Sequence, residues 1–260
     1  MAAALLAAGV TAALMYRGGP RDDVSTYIEQ VNDSQKDFSV RYGSINTTFQ
    51  EFKLSPTAAE TQLPKLQEAA RTMTALRLKV ERIDAPQEAE TLRARLLAFF
   101  RQEEAVATEL VDVAQYLPKL REAEAPLAAA SRKLRIGLRD AGSPQAQGDA
   151  VKRYAVELRT VAGQLDEVEA PPLLRPSHRA YVSQLRAYAS SSEALQRGIR
   201  DNDQDAVNDA VRRMQQAASA PPGTFRAQAE AIKAYNERVR KIRTLAVALE
   251  RARQRLEREL

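Results

Sequence analysis

The chain has 260 residues, 39 basic against 34 acidic side chains, no Cys, no Trp and one His. The missing Cys excludes a disulfide framework, a thiolate zinc site and an iron–sulfur cluster, and one His excludes most multi-histidine metal sites. A hydrophobic share of 44% with 28% charged residues is too apolar for wholesale disorder, and the length fits one or two domains.

Residues 1–16 contain no charged side chain and end at Arg17-Gly18-Gly19-Pro20-Arg21. A membrane span needs about 20 apolar residues. Residues 1–20 therefore read as an uncleaved single-pass anchor, an export signal, or the tail of a longer span starting upstream of Met1. Arg17 and Arg21 point the body to the cytoplasm by the positive-inside rule, while the absence of Cys points it outward. The expectation is a single-pass cell-membrane protein with an extracytoplasmic body.

Residues 21–222 read as helical throughout. From Asp22 to Leu54, Val24, Ile28, Val31, Gln35, Phe38, Tyr42, Ile45, Phe49 and Phe52 recur in steps of four and three, the seam of a long heptad-bearing helix. Ser55-Pro56 caps a second helix to about Asp84, and Ala85-Pro86 breaks it. A third runs from Gln87 through Ala114. Pro118 and Pro126 are expected to kink or split its continuation, since each removes a backbone donor. Ala141-Gly142-Ser143-Pro144 is a boundary, and three more helices are expected at 149–168, 177–200 and 203–219.

The middle of the chain repeats weakly. At an offset of 85, Met73, Leu76, Val80 and Ile83 meet Leu158, Val161, Leu165 and Val168, and Ala85-Pro86 meets Ala170-Pro171. One residue later in offset, Leu96 and Phe99 meet Val182 and Leu185. The pattern suggests a duplicated helical hairpin, with repeats at 66–140 and 151–219.

Residues 223–260 form the last segment, with Thr224 as the expected N-cap. Its seam is Ile232, Tyr235, Val239, Ile242, Ala246, Leu249, Arg253, Leu256 and Leu260. Ten basic and five acidic residues lie here, so the formal charge of +5 belongs to this helix and residues 1–222 sum to zero. Arg238, Arg240, Lys241 and Arg243 fall within six residues and are the candidates for an anionic partner.

Other chemistry is thin. His178 follows Pro176-Ser177 at a helix start without the preceding Glu of a di-iron site. Asp201-Asn202-Asp203-Gln204-Asp205 begins like an EF-hand loop, but Ala206 stands at the required glycine and Arg212 at the bidentate acid. The better reading is Asp203 as the N-cap of the next helix. Gly18-Gly19 lacks the spacing and preceding strand of a phosphate loop. The basic helix has only Phe225 and Tyr235 as aromatics, and Tyr235 is on the seam, so nucleic acid is disfavoured as a partner.

In its apolar start, its Tyr27-Ile28-Glu29-Gln30-Val31 helix and its Ala170-Pro171-Pro172 turn followed by His178, the chain resembles membrane-anchored helical proteins of high-GC bacteria. The resemblance is one of pattern over residues 1–219, and it implies no activity, metal or cofactor.

The sequence thus predicts an all-α, elongated helical bundle with long first and last helices. Its expected role is a non-enzymatic membrane-anchored scaffold or protein-interaction module, self-association included. The alternatives are a binding module for anionic lipid or nucleic acid, and an extracytoplasmic helical sensor.

Overall fold

The computed structural model describes residues 23–33, 56–218 and 223–259, and every regular element among them is helical. In chain order these are α1 (23–33), α2 (Pro56–Glu81), a 3₁₀ turn at Gln87–Ala89, α3 (Glu90–Asp140), α4 (Pro144–Asp166), α5 (Arg175–Arg200), α6 (Gln204–Ala218) and α7 (Gly223–Glu259).

The local signals that set these boundaries are visible. Ser143 stands in extended backbone before α4, its Oγ accepts the Ala146 N–H at 3.2 Å, and Pro144 fills the first turn. Asp203 Oδ1 accepts the Ala206 N–H at 3.0 Å, so the acidic run is a helix cap. Asn202 just before it takes φ 54°, the left-handed region that Asn tolerates. Asp203 N–H then reaches back to the Gly198 carbonyl at 2.9 Å, ending α5 with a Schellman-type bond. α7 begins at Gly223, one residue before the expected Thr224 cap.

The expected split at the two prolines fails here. α3 is a single helix through both Pro118 and Pro126. Each proline forfeits one backbone hydrogen bond, but Tyr116, Leu117, Leu120, Ala123 and Ala130 around them are all buried. Burying a large apolar side chain is worth about 1.5–3 kcal/mol, which offsets a proline cost of about 3 kcal/mol.

The chain divides into two compact units, Met1–Ala114 with Ile232–Leu260, and Gln115–Ala231. In the first, Val24, Tyr27, Ile28 and Val31 of α1 share one buried cluster with Leu76 and Val80 of α2, Leu92, Leu96 and Phe100 of α3, and Leu249 and Leu256 of α7. The remaining positions of the expected first seam, Gln35 to Phe52, lie outside the described residues. On α7, Val239, Ile242, Leu249 and Leu256 are buried as expected, whereas Ile232 is 50% exposed. In the second unit α5 packs against both α4 and α6. Burial recurs at the paired positions: Met73 and Leu158, Leu76 and Val161, Val80 and Leu165, and Leu96 and Val182 are all buried.

The single-pass membrane location is corrected. Among the described residues no helix is long and apolar enough to cross a membrane, because charged side chains recur every few positions even along α3. The apolar segment 1–20 lies outside the described residues, and the extracytoplasmic side assigned to the body loses its basis.

Two glycines separate close packing from open surface. A Cβ on Gly198 would stand 3.0 Å from both the Val207 backbone N and its Cγ2, whereas one on Gly163 of α4 meets nothing within 4 Å. Gly198→Val is expected to destabilise the chain by about 1–3 kcal/mol, as overpacking does. Gly163→Ala is expected to stabilise it by about 0.5–1 kcal/mol through helix propensity. Urea unfolding of the two variants checks both signs.

Candidate functional site

The sequence candidates separate once folded. Arg238 is half-buried and grips Glu109 of α3 with two bonds, Nη2 to Oε1 at 2.8 Å and Nε to Oε2 at 3.2 Å. It is thus an internal clamp between α7 and α3. Arg240, Lys241 and Arg243 are exposed. Farther along, Arg251 and Arg255 are exposed as well. From Arg240 to Arg255 every exposed ionisable side chain of α7 is a cation, since Glu250 is half-buried and bonded to Arg253 and Gln254. The candidate interface is therefore the solvent face of α7, opposite the Val239–Ile242–Leu249–Leu256 stripe. The sequence cluster of four mixes this face with the clamp.

A second group of polar side chains in the first unit escapes the sequence reading. Glu103 of α3 is 2% exposed, and its Oε1 has no hydrogen-bond partner. Burial pushes its carboxyl up to about 7. Tyr235 of α7 is near enough that burial first, and then Glu103, raise its phenol. The neighbouring Glu104 goes the other way. Burial works against its ionised form, but bonds from Thr74 Oγ1 at 2.7 Å and Arg77 Nε at 2.5 Å, with the Arg77 and Arg101 charges, hold the carboxyl below its ordinary value. A signal for Glu103 exists: it continues the helical stripe Leu96–Phe100 toward Ala107 and Leu110.

The lone histidine lies in the second unit. His178 is 8% exposed. Its Nε2 stands 3.0 Å from the Leu165 carbonyl and its Nδ1 3.0 Å from the Tyr116 hydroxyl. A carbonyl only accepts, so Nε2 carries the proton and Nδ1 accepts from the Tyr116 O–H. Burial lowers the His178 pKa, against the pull of the Leu165 carbonyl and the Asp166 charge. Tyr181 bonds Glu124 beside this pair; burial first, then Glu124, raises its phenol. Both imidazole nitrogens are thus engaged in holding α3, α4 and α5 together. Counted back 85 or 86 positions, Tyr116, Leu165 and His178 fall on Val31, Val80 and Leu92, which lie together in the apolar cluster of the first unit, although Val31 and Tyr116 are not a pair of the expected repeats.

A groove of about 420 Å³ runs between α3 and α4, lined by Lys133, Lys152 and Arg153 but also by Asp149 and Glu157. Its mixed charges give no convergent site. Among the described residues no group of three or more metal-ligating side chains comes together.

The two buried ionisable groups predict opposite pH responses. Glu103 has a raised folded pKa, so its contribution is present below its ordinary 4.5 and is lost as the pH rises through about 7. Glu103→Gln removes that ionisation, and its advantage over the natural chain should grow from pH 5 to pH 8 toward about 3 kcal/mol. His178 has a lowered pKa, so its contribution is present above its ordinary 6.5 and falls away as the pH drops below it. Tyr116→Phe, which strands Nδ1, should cost about 1–3 kcal/mol. Denaturant melts across this pH range measure all of these.

Comparison with known protein families, characterised proteins and solved structures returns no match.

Proposed function

We propose that the chain is a non-enzymatic helical scaffold or protein-interaction module. The observation that carries this reading is the division of α7 into two faces. One buries Val239, Ile242, Leu249 and Leu256; on the other, every exposed ionisable side chain from Arg240 to Arg255 is a cation. A helix surface that only needs to stay soluble is usually served by mixed charges. The lone histidine of the second unit has both ring nitrogens engaged, one by the Tyr116 hydroxyl and one by the Leu165 carbonyl, which suits a structural role for it. The matched burial of helix positions on either side of the α2–α3 and α4–α5 turns, Met73 with Leu158, Leu76 with Val161, Val80 with Leu165 and Leu96 with Val182, supports a duplicated helical hairpin in a bundle as the scaffold. Self-association through the α7 seam is disfavoured, because Val239, Ile242, Leu249 and Leu256 are already buried within the chain.

A photo-crosslinking side chain placed in the full protein at Thr244, and separately at Ile136, tests this in cells. Both positions are exposed, Ile136 at 52%. A discrete protein adduct from at least one of them is expected. No adduct from either site would overturn the reading.

A further inference from the structure

We propose that the solvent face of α7 is a docking strip for an acidic amphipathic helix of a partner protein, held by Lys233, Arg240, Lys241, Arg251 and Arg255 around Val247. This rests on the interaction-module reading and names its partner.

All five cations are exposed, and none makes an ion pair among the described residues. Lys233 to Arg255 spans ~33 Å along a helix axis, the length of a partner helix of about six turns. Glu230 and Glu237 are exposed at the N-terminal end of the strip, so the attraction is concentrated from Arg240 onward. Strings of like charge at such spacing repel one another mildly in the free chain, and an acidic neighbour relieves this.

Val247 selects the class of partner. It is 51% exposed in the middle of the strip, between Lys241 and Arg251. A phosphate backbone gains nothing by covering an isopropyl group. An amphipathic helix gains by covering it, with acids on either side of its own apolar stripe. No Phe or Tyr is exposed between Lys233 and Arg255 to stack on bases. A second helix laid along α7 also matches its straight line of charges, which a duplex backbone does not track.

The test uses the full chain and three probes: a designed helical peptide with one Leu stripe flanked by Glu, the same peptide with Gln for Glu, and a short DNA duplex. The Glu peptide is expected to bind at low salt and to weaken steeply as salt is added, and the Gln peptide is expected not to bind. Substituting Lys233, Arg240, Lys241 and Arg251 with Gln should weaken the Glu peptide about tenfold or more, with unchanged melting. Val247→Asp should weaken it as well. Tighter binding of the duplex than of the Glu peptide would overturn the proposal in favour of nucleic acid. Equal binding by the natural chain and the four-site variant would overturn it too. Absence of peptide binding at low salt would refute the docking strip but leave the interaction module standing wherever a crosslinked adduct is still formed.

Discussion

A helix with one narrow apolar stripe is stable in water only when something covers that stripe. In the first unit this constraint organises everything described. α1, α2, the first half of α3 and α7 each contribute two to four side chains to one cluster. None of them holds enough apolar surface to stand alone. The Arg77–Glu104–Thr74 bonds, and the Arg238–Glu109 clamp farther along α3 and α7, fix which faces meet. The charges themselves add little stability where water reaches them. What they add is orientation, and it is orientation that leaves the other face of α7 outward.

Much of this is legible in the order of residues, because a period of three and four states which face of a helix seeks cover. Val24, Ile28 and Val31, and Val239, Ile242, Leu249 and Leu256, declare themselves that way. Asp203 as a cap is legible because a carboxylate at a helix start has a specific job there. What a period cannot state is who provides the cover. By sequence Arg238 is one of four equivalent cations; only Glu109, distant in the chain and placed against it, sets it apart. Ile232 fits the seam and yet is exposed, since the covering surface does not extend to it. Pro118 and Pro126 mislead for a related reason. Their local cost is fixed, while the burial that offsets it comes from elsewhere in the fold.

The two units bury different chemistry. Where Val31, Val80 and Leu92 meet only apolar neighbours in their cluster, Tyr116, Leu165 and His178 exchange hydrogen bonds. An apolar layer tolerates sliding; a layer with two directional bonds to one imidazole ring accepts a single register. That specificity makes the second unit answer to acid, just as the unpartnered Glu103 makes the first answer to base.

The placement of α7 also sets an order of events during synthesis. Arg238 and Glu109 are separated by 129 positions in the chain, and the whole second unit is made between them. α4, α5 and α6 can pack on neighbours that have only just been translated. The first unit, although earlier in the chain, must wait with Leu92, Leu96 and Phe100 incompletely covered until α7 arrives. On the ribosome the N-terminal unit is therefore the last to close, and its exposed stripe is the interval in which a chaperone, or the wrong helix, can reach it.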